Sequence, residues 1–244
     1  MVEGKTLLHY RILGRLGEGA MGVVWEAQDL KLHRTVALKC LSARTTSDPN
    51  ARLRLLQEAR ASSQLDHPNI CRIHSIEELD DGQVVLVLSF HAGETLAAHI
   101  ARAAIPLERA VSLASQLLSA LGHAHAHGVI HRDVKPSNII ITPEDEVKMV
   151  DFGLAKGSEE ETQLTDTGAF MGTVSYMSPE QVLCREVDYR SDLWAAGAVL
   201  YEMMTGQLPF SGGNPYAVCD AILRTRPRRP SELRPELPES QTPS

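Results

Sequence analysis

Short runs of Val, Ile and Leu dominate residues 10 to 41 and 71 to 90, cut by Gly17, Gly19, Gly22, Asp81 and Gly82. Apolar runs of four to eight residues bounded by turn formers predict strands, here five: 10–17, 23–28, 34–41, 71–77 and 83–89. Between the third and fourth lies "SDPNARLRLLQEARASSQL", in which Asp48 is placed to cap a helix with Pro49 at its first position. Downstream the apolar spacing turns helical over 94–103, 107–127, 191–205 and 214–224, interrupted by short strands near 139–142 and 147–150. Strands followed by helices predict an α+β fold of two lobes, with a small antiparallel β-sheet carrying one helix, then a larger, mainly helical lobe. The expected bounds are 10–90 and 91–225, joined by a hinge near Ser89 to Gly93, with a proline-rich segment over 226–244.

The helix in "SDLWAAGAVLYEMMTG" is apolar on nearly every face and is expected to be buried, with Ser191 at its start and Gly206 and Pro209 ending it. The tail "TRPRRPSELRPELPESQTPS" holds five prolines in twenty residues and reads as an extended segment or linker.

Composition narrows the function classes. The 244-residue chain is 43% hydrophobic and carries a net charge of -7, which argues against a nucleic-acid partner. Cys40, Cys71, Cys184 and Cys219 lie far apart with no CxxC pair, which suits reduced thiols and a cytoplasmic location. No apolar run reaches the roughly 18 residues of a membrane span.

Polar residues inside the apolar pattern mark the chemistry. "GRLGEGAMGVVWEAQ" sets Gly17, Gly19 and Gly22 between two strands, where backbone amides can approach anionic oxygens; a plain hairpin would carry the same glycines. Lys39 in "TVALKC" is either an edge lysine with its stem buried or an inward cation. In the second case Glu58, the acid of the following helix, is its expected partner. "VIHRDVKPSNIIIT" places Asp133, Lys135 and Asn138 between apolar segments, and Asp151 follows another in "VKMVDFGLAK". One carboxylate, one amide oxygen and phosphates make a natural Mg²⁺ shell.

In this order the set resembles the eukaryotic-type protein kinase family, and most of all bacterial serine/threonine kinases. The matching pieces are "GEGAMGVV", "VALK", Glu58, "HPNI", "HRDVKPSN", "DFG", "GTVSYMSPE" and "DLWAAGAVLYEMMTGQLPF". The resemblance implies phosphoryl transfer from ATP with Mg²⁺ (Mn²⁺ as the alternative ion) to Ser or Thr hydroxyls of protein substrates. By it, Gly17, Gly19 and Gly22 cover the phosphates, with Leu16 beside them. Lys39, paired with Glu58, holds the α and β phosphates. Asp133 is the base, Lys135 neutralises the transferred group, and Asn138 and Asp151 hold the metal. Val24, Ala37 and Ile140 sandwich adenine, Leu88 guards the back pocket, and the backbone from Ser89 to His91 bonds the base edge. Lys135 and Thr173 favour the serine/threonine branch over tyrosine; small-molecule phosphotransfer is the alternative acceptor class.

The family pattern also implies activation by trans-autophosphorylation at Thr165 and Thr167, within a homodimer, ordering that loop against Arg132. A solvated polar loop, including Glu159, Glu160 and Glu161, is the competing reading. His123, His125 and His127 at i, i+2 spacing do not converge on a metal. Trp25 and Trp194 read as packing residues, His131 as an anchor near Phe152, and Asp192 as a bond from the buried helix to that loop. Family members continue beyond the proline-rich segment with helices and an arginine that pairs with the glutamate at Glu180. The resemblance therefore leaves Glu180 without its partner and the underside of the 191–205 helix uncovered. Two further readings stay open, an inactive kinase-like module acting by protein interaction and a truncated domain that folds poorly.

Overall fold

The computed structural model describes residues 3–19, 22–42, 48–80, 82–152 and 174–237. The amino-terminal part is a six-stranded antiparallel sheet of β1 (Thr6–Leu7), β2 (Tyr10–Gly19), β3 (Gly22–Asp29), β4 (Arg34–Leu41), β5 (Ile73–Glu78) and β6 (Val84–Ser89), in the order β1-β2-β3-β4-β6-β5. One helix, α1 (Pro49–Ser63), packs on it. Asp48 caps α1, accepting from the Asn50 and Ala51 amides at 3.0 and 3.1 Å, with Pro49 in the first turn as the sequence predicts.

Alternation along the strands sorts two apolar layers. Ala37, Leu41, Leu86 and Leu88 meet Leu55 and Ala59 of α1, while Val36, Leu38, Cys40, Val85 and Val87 gather with Tyr10 and Ile12 on the opposite face. Both faces of β4 and β6 are therefore buried, which is why those strands read as unbroken apolar runs. Lys39 has the same parity as Ala37 and Leu41 and is 4% exposed. The inward reading of this lysine is the correct one.

After the hinge come β7 (Glu94–Thr95), α2 (Leu96–Arg102) and α3 (Leu107–Ala126), then β8 (Ile139–Ile141) and β9 (Val147–Met149), which form a three-stranded sheet with β7. Next are α4 (Pro179–Val182), α5 (Tyr189–Thr205), α6 (Pro215–Arg224) and α7 (Pro230–Leu233). α3, α5 and the β8–β9 hairpin enclose one core with Val129, Val134 and Phe152.

Several boundaries move. The strand expected over 71–77 starts at Ile73, and the first two residues of the expected helix at 94 pair with β8 instead. α5 starts earlier than expected because Asp188, not Ser191, accepts the Arg190 amide at 2.9 Å and caps it. The proline-rich segment is not a free linker over its described part. It forms α7, buries Leu237, and sends Arg234 Nη1 to the carbonyls of Ile105 at 3.1 Å and Met204 at 2.6 Å. Carbonyls in the last turn of a helix lack intrahelical donors, so a guanidinium has a ready place there.

Candidate active site

The loop from His131 to Asn138 is pinned from below by Asp192 in the first turn of α5, which is 1% exposed. One carboxylate oxygen accepts the Arg132 amide at 2.8 Å; the other accepts the His131 amide at 2.8 Å and lies 2.7 Å from His125 Nε2. These bonds hold Arg132 at φ 67°, a left-handed conformation costly for a side chain of its size. His131 is fully buried, with Nε2 2.9 Å from the Val150 carbonyl and its ring 4.6 Å from that of Phe152. The expected anchoring roles of His131 and Asp192 are thus visible directly.

On this frame Asp133 meets Lys135 Nζ at 2.8 Å and Asn138 Nδ2 at 2.9 Å, both through Oδ2. The Val150 amide donates to the Asn138 carbonyl at 3.0 Å, so the β8–β9 hairpin sets Asp151 beside Asn138. Asp151, at φ 64°, receives Lys39 Nζ at 2.7 Å from across the cleft. Lys39, Asp133, Lys135, Asn138 and Asp151 therefore border one cleft between sheet and helices.

Ion pairs link the charged groups around Lys39 and Glu58. Lys39 pairs with Asp151, and Glu58 Oε1 of α1 faces Arg132 Nη1 at 3.8 Å. Both carboxylates compete for the two cations nearest them, and sequence spacing carries no information about which pairing is closer. Glu180 also finds a different bond, since its carboxylate accepts from the Ser191 hydroxyl. Burial raises the Glu180 pKa, but this bond and others outweigh it and leave the group below the ordinary value.

The glycines divide by cause. A Cβ on Gly22 would sit 1.9 Å from the Cys40 carbonyl oxygen, and Gly22 has φ 139°, so strand packing demands this glycine. A Cβ on Gly17 or Gly19 meets nothing within 4 Å, so the protein itself has no need of glycine there. That open space suits backbone approach to an anionic group. Exposed Leu16 stands next to Gly17. Val24 packs with Ala37 and Leu88, Ala37 is the register partner of Leu88, and Ile140 lies half-buried in β8 below the hinge. Gly93 is held by close packing, because a Cβ there would be 2.3 Å from the Ile141 carbonyl oxygen. Thr165 and Thr167 lie outside the described residues, as does Thr173.

Residues 10–242 match the family model described as protein kinase domain. The chain belongs to that family. Serine/threonine-protein kinase pkn3 of Myxococcus xanthus is 40% identical over 243 residues, covering 96% of this chain and 44% of that protein. PknE of Mycobacterium bovis is 40% identical over 238 residues, covering 97% of this chain and 41% of that protein. The chain therefore spans less than half the length of these relatives. Among solved structures, the PknI kinase domain of Mycobacterium tuberculosis matches with TM-score 0.75 and 27% identity, covering 97% of this chain and 86% of that one. The α+β, two-lobed fold read from the strand and helix pattern is the protein kinase fold.

Several residues around this site carry no signal in the sequence. Gln181 completes a capping box with Ser178 at the start of α4 and donates from Nε2 to the Arg132 carbonyl at 2.8 Å. Ser62 of α1 donates to the Phe152 carbonyl at 3.0 Å. The Ser-x-x-Gln spacing signals a helix start, but nothing in it names the loop that the glutamine reaches. Cys71 joins Leu88, Asp151 and Phe152 around a small cavity of about 10 Å³ behind the cleft. Burial raises its thiol pKa to about 11, so it behaves as an inert wall. A roomier cavity of about 340 Å³ lies away from the chemistry, between α1 and β5, lined by Leu56, Arg60, Ile73, His74 and Glu78 among others.

Proposed function

We propose that the chain is the catalytic domain of a serine/threonine protein kinase that uses Mg-ATP. The observation that carries this reading is the convergence of Lys39, Asp133, Lys135, Asn138 and Asp151 on one cleft. The donor set fits the group: two cations for phosphate oxygens, and an amide and a carboxylate for a hard divalent ion. Bound Mg-ATP supplies the phosphoryl group and its electrophilic phosphorus.

The chain's own residues do the rest. Asp133 orients a Ser or Thr hydroxyl and takes its proton, with Asn138 and Lys135 holding the carboxylate in place. Lys135 offsets charge on the three oxygens of the group in transit. Lys39 would hold phosphate oxygens, and Asp151 and Asn138 would hold the ion. Glu58 then exchanges Arg132 for Lys39, and Arg132 becomes available to an anion on the loop that carries Thr165 and Thr167. Autophosphorylation of those threonines in trans would supply that anion, within a transient homodimer. The four cysteines are free thiols, in keeping with work in the cytoplasm.

Transfer of labelled phosphate to a Ser/Thr protein substrate tests this, with Asp133→Asn as control. Activity in the native chain and a loss of about a thousandfold in the variant are expected. Equal incorporation by both, or none by cooperatively folded native chain with Mg-ATP, overturns the reading. Phosphate mapping after incubation with ATP is expected to find Thr165 and Thr167, and modification of neither rejects that part.

A further inference from the structure

The residue that precedes Asp133 is held on both of its peptide groups. The Arg132 amide donates to Asp192 at 2.8 Å, and the Arg132 carbonyl accepts from Gln181 Nε2 at 2.8 Å. That carbonyl belongs to the planar peptide joining Arg132 to Asp133, so its direction fixes where the Asp133 backbone begins. Arg132 has φ 67°, and a peptide left free at such a residue would turn toward an ordinary conformation. The Asp133 amide offers weaker anchorage, since it reaches His131 Nδ1 at 3.3 Å. Gln181 therefore carries much of the restraint on that peptide.

Gln181 is itself fixed at the start of α4. Its Oε1 accepts the Ser178 amide at 3.0 Å, and its own amide points at Ser178 Oγ, 3.4 Å away. Ser178 is fully buried and donates to Ser191 Oγ at 3.0 Å, while the Ser191 hydroxyl donates to Glu180. Ser191 stands next to Asp192 on α5, so a circuit closes. α5 holds the Arg132 amide directly, and it holds the Arg132 carbonyl through α4.

The chemistry of the two contacts selects the residue. A capping box accepts glutamate as readily as glutamine, because either supplies the oxygen that the Ser178 amide needs. The Arg132 carbonyl can only accept, so the second contact requires a donor, and of the two only glutamine has one. Capping alone leaves this choice open; the bond to the loop closes it.

We propose that Gln181 is a positioning residue for Asp133, holding the Arg132–Asp133 peptide so that the carboxylate faces the acceptor hydroxyl. This rests on the kinase reading above and adds to it a residue from outside the cleft. Such a bond acts on the step in which the proton moves and leaves nucleotide binding alone, so its loss lowers kcat without raising KM for Mg-ATP.

The test measures kcat and KM for Mg-ATP in native chain, Gln181→Glu and Gln181→Met, with casein and the chain itself as acceptors. Gln181→Glu keeps the cap but sets an ionised oxygen against the Arg132 carbonyl. Its kcat is expected to fall about tenfold, the worth of one hydrogen bond, with KM for Mg-ATP within about twofold of native. Protonation turns the introduced carboxyl into a donor, so the deficit is expected to shrink as pH falls toward about 5. The charged groups around it, Arg132 and Asp133 on the loop, Glu180 on α4 and Asp192 on α5, are shared by every variant, so the ratio to native isolates the new carboxyl. Gln181→Met has no donor at any pH; its deficit is expected to stay constant, and it serves if Gln181→Glu does not fold. A kcat within about twofold of native in both variants overturns the proposal while leaving the kinase reading intact. So does a loss of kcat that comes with a proportionate rise in KM and fall in unfolding midpoint, the mark of a merely structural role. A folded native chain that labels neither acceptor overturns the kinase reading itself.

Discussion

Asp192→Asn exchanges one carboxylate oxygen for an NH₂ group and leaves the shape of the side chain unchanged. The native carboxylate is 1% exposed and accepts from two backbone amides, each at 2.8 Å, on separate oxygens. An asparagine can present its oxygen to one of them, so the other N–H faces a second donor. Losing a hydrogen bond to a charged acceptor costs about 1.5–3 kcal/mol, and stranding a buried N–H costs about 1–3 kcal/mol more. Because these overlap, the expected destabilisation is about 3–5 kcal/mol, a large share of the 5–15 kcal/mol typical of a folded domain. For a chain of this size that corresponds to a fall in Tm of roughly 10 °C. Urea and thermal unfolding without nucleotide measure it, since the frame lies beneath the cleft and needs no ligand. A midpoint within 1 °C of native would refute the claim that Asp192 holds the loop, and Arg132's left-handed backbone would need another cause.

Other substitutions test separate links. Gly22→Ala is expected to destabilise the sheet by more than about 2 kcal/mol because its Cβ meets the Cys40 carbonyl, whereas Gly17→Ala leaves the unfolding midpoint nearly unchanged and raises KM for nucleotide. Parallel melts and kinetics separate the two. Arg234→Ala removes donors from the Ile105 and Met204 carbonyls and is expected to cost about 1–3 kcal/mol in denaturant unfolding. Burial raises the Glu202 carboxyl above its ordinary 4.5, while the Tyr176 hydroxyl, donating at 2.5 Å, opposes the shift. A raised folded pKa means stability that is full below the unfolded pKa and lost as pH rises through the folded one. Glu202→Gln, which still accepts from Tyr176, is therefore expected to flatten that loss and to melt higher than native at neutral pH. A profile with the native slope would remove Glu202 as its source.

Much of the architecture was legible in residue order. The strand runs, the Asp48–Pro49 helix start and the Gly206 stop each rest on local chemistry that reads the same in any context, because a cap or a turn is made within a few residues. Boundaries failed where a local signal competed with a longer contact. Ser191 looks like a helix cap, yet it bonds Ser178 and Glu180, and Asp188 takes the cap. Prolines marked the tail as extended, but Arg234 and Leu237 find a helix end and an apolar surface that lie far away in sequence.

The residue types and spacing determined by themselves which chemistry this chain can carry, since Lys39, Asp133, Asn138 and Asp151 are scarce polar groups set in apolar runs that folding must bring inside. Tertiary structure alone decided their pairing. Lys39 to Asp151, Glu58 to Arg132, and Gln181 to the Arg132 carbonyl depend on which oxygen lies a fraction of an ångström nearer a given donor. Hydrogen bonds and ion pairs fall off over such distances, and no linear pattern encodes them.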